Sequence, residues 1–467
     1  MPFARILRSS ALMGGAQVVV LAAGFVRAKA IALILGASGV GLIGLFNAFS
    51  GNVASFAGWG LGTSGVRLIA GAEEEEKPAK IAAVRRMGWA LSLLGLALAL
   101  IFFWPVGNAT FASTQYALEM AIVALAVPCL IASTAWSAVL QASGKIASLA
   151  KVQVAGALTG LVLGLPAIWL WGTVGIAISI FFAAVVPAAA LWRAARAEHP
   201  SSVASSVEAA DLQQLVKLGG ALMVVGWLGQ LSAYLVRLAI VRQEGLDAAG
   251  YYQAAYAISG SLPGFVFAAM GADFFPRISG AKTQAEAHNQ LEKQIQAGVL
   301  LGVPLIAVLL TLGKQCLNLL YADSFDPALP LLGWITWGVF LRLLSWPLGF
   351  WLIAKSTPKY VIIIECLGNG MAIILPVAML PAYGLVGAAT GFFWASLAYL
   401  CVLIVVYWRL SGQWLGRGVT IWATIAVGAL LLAEHWAAGQ TNPYLSATPA
   451  LILGAFCAWK YRRVLKT

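Results

Sequence analysis

The chain has 467 residues, 61% of them hydrophobic and only 10% charged, with a formal net charge of +12 and a mean hydropathy of +0.88. A soluble domain carries about 25% charged residues, and here apolar runs recur from Ala11 to Trp459 with no polar domain between them. A soluble enzyme built around one buried core is excluded; the composition predicts an all-α polytopic membrane protein, with room for roughly a dozen to fifteen transmembrane helices.

In chain order, six spans are predicted over 10–35, 39–64, 87–106, 116–141, 152–171 and 173–192, an N-lobe of residues 1–192. Arg5 and Arg8 before the apolar stretch, with Ala28-Lys29-Ala30, imitate a cleaved leader. The stretch continues past them to Leu35, so it reads as a first helix. A polar linker follows over 193–214. Six more spans, 215–241, 249–275, 294–313, 328–353, 359–380 and 384–408, make a C-lobe of residues 215–408. A last pair, 418–436 and 444–459, and a basic tail complete residues 409–467, giving about fourteen helices.

Of the 29 Lys and Arg, only Arg242 and Lys314 fall on one side of this scheme, and Arg27, Lys29, Arg237 and Arg342 lie inside spans; all the others share the opposite side. The positive-inside rule therefore predicts that both termini are cytoplasmic. Topology accounts for the net charge, so no nucleic-acid partner is implied. Trp104, Trp169 and Trp171 mark outer ends of helices, and Trp192-Arg193 and Trp408-Arg409 mark inner ends. The run Glu73 to Glu76 reads as a solvated loop.

The second half repeats the first. Placing Ser50-Gly51 on Ser259-Gly260 superposes Gly41 on Gly250 and Gly71 on Gly280, and Gly172-Thr173-Val174-Gly175 corresponds to Gly384-Leu385-Val386-Gly387. Because six helices repeat six, the two lobes are expected to share one orientation, related by a pseudo-two-fold axis along the membrane normal, and to face each other across a central cleft.

Arg27 lies nine residues before a turn at Gly36 and Arg237 eight before Gly245, so each sits about 12 to 14 Å below the outer end of its helix at ~1.5 Å per residue. Arg342 reaches similar depth from Pro330. Each would cost on the order of 2.5 to 3.5 kcal/mol facing lipid, so all three, with Lys29 nearby, are expected to line the cleft or to meet an acid. Guanidinium groups in a low-dielectric cleft suit phosphate oxygens. The acids inside the core spans are Glu119, Asp273 and Glu365. Glu365 and Asp273 are the candidates for a coupling proton or sodium ion, or else partners of these cations.

Other chemistries find no support. Five cysteines without C-x-x-C spacing read as packing thiols, and three separated histidines form no metal cluster. No phosphate loop occurs, so no metal, cofactor or nucleotide hydrolysis is expected.

With Gly24-Phe25-Val26-Arg27 leading to Leu35-Gly36-Ala37-Ser38-Gly39-Val40-Gly41, with Gly60-Leu61-Gly62-Thr63-Ser64-Gly65-Val66-Arg67, and with Gly250-Tyr251-Tyr252-Gln253-Ala254 leading to Phe275-Pro276-Arg277, the chain resembles the O-antigen and enterobacterial-common-antigen type flippases of the multidrug, oligosaccharidyl-lipid and polysaccharide exporter superfamily. The resemblance implies a bacterial inner-membrane transporter, not an enzyme. It would carry an undecaprenyl-pyrophosphate-linked oligosaccharide by alternating access among membrane lipids, with a polysaccharide polymerase and a chain-length regulator as partners. It also implies that Arg27 and Arg237 touch the pyrophosphate. Lipid II flippases carry an acidic residue near the start of helix two, and Gly39 to Asn47 has none. A multidrug exporter of organic cations is opposed by the three arginines, and a membrane-embedded polymerase by the shortness of the longest outer loop, about Lys314 to Ala328.

Overall fold

A computed structural model describes residues 2–198, 208–440 and 443–464; residues 199–207 of the expected linker and 465–467 of the basic tail lie outside it. All regular elements among the described residues are helical, and ten helices are long and apolar enough to cross a membrane. Large apolar side chains stand on the outer surface: Leu93 is 67% exposed, Leu432 71% and Leu451 70%. In water such surface would drive association, whereas in lipid it is the solvated face. The residues divide into two compact units, Met1–Gly250 and Tyr251–Thr467.

The first unit contains α1 (Pro2–Ala57), α2 (Leu61–Ala70), α3 (Lys77–Phe111), α4 (Ala117–Ala142), α5 (Ile146–Val162), α6 (Gly164–Trp171), α7 (Thr173–Glu198) and α8 (Ala209–Glu244). Helix α8, the first helix of the expected C-lobe, packs along α1, α2 and α3. The attachment is polar as well as apolar. The Asn52 amide donates to the Gln230 carbonyl (3.0 Å), the Trp59 indole donates to the Val216 carbonyl (3.0 Å), and Lys80 pairs with the buried Asp211 (2.8 Å). These bonds join residues far apart in sequence, which the apolar pattern does not report.

Helix α9 (Leu246–Gly280) starts at the division. The second unit continues with α10 (Gln284–Thr311), α11 (Gly313–Leu320), α12 (Leu329–Lys355), α13 (Pro358–Ser411), α14 (Arg417–Ala438), the short α15 (Pro443–Ser446) and α16 (Thr448–Val464). Its core joins Met270 and Phe274 of α9 to Val303 of α10, Phe340 and Leu344 of α12, and Leu403 and Tyr407 of α13. Helices α14 and α16 both pack on α10.

Glycines make the sharp turns. Gly36 (φ 68°) breaks α1 and Gly384 (φ 58°) breaks α13, so each of these long elements holds two of the expected spans. Gly245 (φ 90°) and Gly172 (φ 57°) occupy the repeat-equivalent turns. Positive φ strains any residue with a Cβ, so the same residue type recurs at all four.

Boundaries differ from expectation where side chains set the backbone. The second predicted span ends at Ala57, because Trp59 (φ 48°) and Gly60 (φ 60°) turn the chain before α2 begins. Within 67–86 only residues 71–76 are loop, and Glu73 to Glu76 are exposed there as expected. The segment from Gly313 to Ala328, expected as a loop, is ordered into α11 and a 3-10 helix, Asp323–Ala328, tied by a Lys314–Asp326 ion pair of 3.2 Å.

Gly41 and Gly250 allow a close helix approach: a Cβ on Gly41 would fall 2.6 Å from the Leu246 carbonyl oxygen, and one on Gly250 would overlap the Ala37 carbonyl. Gly250→Ala should therefore destabilise the protein by about 1–3 kcal/mol, whereas Gly260→Ala, with open space around it, should match or exceed wild type through helix propensity. Melting temperatures of the two purified variants, compared in the same lipid, check this ordering.

Candidate functional site

Arg27 lies on α1 nine residues before the Gly36 break, as the sequence places it, and lines a cavity of about 520 Å³ inside the first unit. The walls come from α1, α4, α5 and α7, with Gln17, Ser133, Ser137 and Gln153 as the other polar residues of the lining. Small residues make the room. A Cβ on Gly160 would fall 3.4 Å from Nη1 of Arg27, and one on Gly156 would overlap Pro187. No hydrogen bond or ion pair holds the Arg27 guanidinium among the described residues, and the Ser133 hydroxyl is likewise buried without a partner. A cation in a membrane interior with neither an acid nor a carbonyl is costly, and an anion would relieve that cost while taking the serine and glutamine donors as well.

Arg237 is 7% exposed on α8, and its Nη1 donates to the Ala233 carbonyl of its own helix at 2.7 Å. It does not line the Arg27 cavity, nor does the half-buried Lys29. Arg342 lines a different cavity, of about 270 Å³, inside the second unit, with its guanidinium 4.7 Å from the centre of the Phe392 ring. Glu365 shares that cavity. It accepts from the Tyr399 hydroxyl at 3.0 Å and from the Asn369 amide at 3.4 Å, and no ion pair joins it to Arg342. The side chain of Asp273 falls outside the described residues. Among the described residues no three acidic, His or Cys side chains gather as a metal site.

The remaining unusual charges have local partners. Arg242 donates from Nε to the Ala109 carbonyl (2.6 Å) at the C-terminal turn of α3, where a cation also complements the helix dipole. Glu119 accepts from the Thr173 hydroxyl at 2.7 Å. All five cysteines are free; Cys457 alone is buried, and Cys366 and Cys401 are exposed instead of packed. Sequence reasoning did not find Gln17, Ser133, Gln153, Asn369 or Tyr399. The signal available was weak: single amide or hydroxyl residues inside apolar runs.

The profile of a family described as "Polysaccharide biosynthesis protein" matches residues 6–282. Two proteins named "Lipid III flippase", from Escherichia coli (strain K12) and Shigella flexneri, are each 22% identical over 414 residues, covering 86% of this chain and 99% of theirs. Among solved structures, the lipid II flippase MurJ in an inward closed conformation is similar over 99% of this chain and 100% of its own, with TM-score 0.78 and 14% identity. An inward-facing multidrug resistance MATE family transporter of the MOP superfamily is similar over 89% of this chain and 96% of its own, with TM-score 0.70 and 15% identity. The fold is that of these transporters.

The lone guanidinium makes a test. Removing an unpaired buried charge relieves desolvation without orphaning a partner, so Arg27→Met should melt at or above the wild-type temperature. A drop of several degrees would mean that Arg27 holds the bundle together.

Proposed function

Because the chain belongs to the polysaccharide biosynthesis protein family, whose profile covers more than half of it, we propose that it is a flippase for an undecaprenyl-pyrophosphate-linked oligosaccharide, an O-antigen or similar repeat unit. It moves this lipid from the cytoplasmic to the outer leaflet of the bacterial inner membrane, with both of its own termini in the cytoplasm. The observation that carries the reading is the unpartnered Arg27 guanidinium in a cavity large enough for a phosphate group and its neighbours. In this reading Arg27 and Arg237 hold the pyrophosphate, Lys29 raises the local positive potential, and Arg342 meets the substrate further along.

The carrier is a transporter and not an enzyme, since no bond of the substrate has to break. Alternating access, with α8 moving with the first unit because it packs on α1, α2 and α3, would expose the head group to one side and then the other, with α14 and α16 as an addition of the second unit. The lipid III flippases among the relatives support a lipid-linked glycan as cargo. The MATE-like fold also suits a drug antiporter, but unpaired arginines repel organic cations and attract anions.

Driving force follows from charge. A polyprenyl pyrophosphate carries roughly two negative charges, and outward movement of each gains about 2.3 kcal/mol per 100 mV when the cytoplasm is negative. With no compensating charge moving, the potential contributes about 4 to 5 kcal/mol per 100 mV.

In vesicles holding the purified protein and a lipid-linked oligosaccharide, an imposed potential should accelerate outward transfer, and Arg27→Gln should abolish it while leaving the protein folded. Transport that ignores the potential but follows a proton or sodium gradient would replace this drive. Export of organic cations with no transfer of the lipid-linked glycan would remove the flippase reading itself.

A further inference from the structure

The 270 Å³ cavity of the second unit holds a cation and an anion that do not neutralise each other. Arg342 on α12 rests on the Phe392 ring and has no hydrogen bond or ion pair among the described residues. Glu365 on α13 is held by donors on one side, the Tyr399 hydroxyl and the Asn369 amide. The residue at 368 must be small for this arrangement, since a Cβ on Gly368 would fall 2.5 Å from the Tyr399 ring. Trp346 and Phe350, with ring centres 4.1 Å apart, add aromatic surface to the wall.

Several ligand classes fail on chemistry. Pyrophosphate would satisfy Arg342 but bring about two further negative charges beside Glu365, with no hydrogen to donate to it. An organic cation would satisfy Glu365 and be repelled by Arg342. A sodium ion needs a shell of oxygens, and here the carboxylate is already engaged by two donors. A sugar ring meets every group. Its hydroxyls donate to Glu365, its C–H faces pack on aromatic surface, and a carboxylate substituent binds a planar guanidinium in bidentate fashion. The volume equals roughly nine waters at about 30 Å³ each, which suits one ring and not a chain of them.

Resting on the flippase reading above, we infer that this cavity is a subsite for one sugar of the carried glycan, a pyranose bearing a carboxylate, with Glu365 accepting its hydroxyls and Arg342 binding its acid group. The subsite selects cargo by its sugar, whereas the Arg27 cavity recognises the phosphate common to all such lipids.

The test uses the full chain in lipid nanodiscs free of glycosidic detergent, titrated calorimetrically with methyl β-glucuronide, methyl β-glucoside and inorganic pyrophosphate. The glucuronide should bind saturably and roughly tenfold tighter than the glucoside, as for a charged hydrogen-bonded contact. Arg342→Gln should erase that preference while keeping glucoside binding, and Glu365→Gln should weaken both sugars. Should Arg342→Gln not fold, Arg342→Lys keeps the charge but loses the bidentate fork, and should lower the preference severalfold. Absence of saturable glycoside binding to the wild type, or variants that bind as the wild type does, would overturn the subsite. So would displacement of the glucuronide by pyrophosphate in an Arg342-dependent manner. A chain that binds the glucuronide as described but transfers no lipid-linked oligosaccharide in vesicles would leave the sugar site standing and remove the flippase reading; transfer without glycoside binding would remove the subsite alone.

Discussion

Hydrocarbon offers no partner to a peptide N–H or C=O, and the rest of this structure depends on that fact. Each crossing segment must satisfy its backbone internally, so all regular elements among the described residues are helical. The same solvent lets large apolar side chains such as Leu93 and Leu432 stand on the outer surface as well as in the core. It also makes every charge inside a span conspicuous. Arg242, Lys314 and Glu119 each have a local partner close to a helix end. Among the described residues Arg27 and Arg342 have none, and each stands on the wall of a cavity.

In the proposed reading the two cavities divide the recognition problem. The first unit presents one guanidinium with neutral hydroxyl and amide groups, an environment for a phosphate that any lipid-linked glycan would carry. The second unit presents a guanidinium, a carboxylate, a tyrosine and an aromatic wall, an environment with more chemical discrimination. Specificity of that kind comes from buried polar groups that a wrong ligand would leave unpaired. Helix α8 brings Arg237 into the first unit with α1, α2 and α3, fastened by the Lys80–Asp211 pair and the Trp59 and Asn52 bonds.

Four glycines at repeat-equivalent turns, Gly36 with Gly245 and Gly172 with Gly384, share a positive φ. Each turn needs a backbone conformation that strains any residue with a Cβ. At Gly36 and Gly384 the backbone leaves helical geometry, which kinks α1 and α13.

Sequence by itself determined the solvent, the helical class, the approximate spans and the residues out of place in them, because hydropathy, glycine at tight turns and charge in an apolar run are properties of one segment at a time. Arg27 was legible for this reason, nine residues from a glycine that does break its helix. The tertiary structure decided what surrounds each charge, because those partners arrive from distant helices. Ser133 and Gln153 come to the wall of the Arg27 cavity from α4 and α5, and Tyr399 comes to Glu365 from the far half of α13. Only packing could show that Arg27 and Arg342 line separate cavities, that α8 lies with the first unit, and that Glu365 faces a cation without pairing to it, since contact between helices depends on rotation and register that no single span encodes.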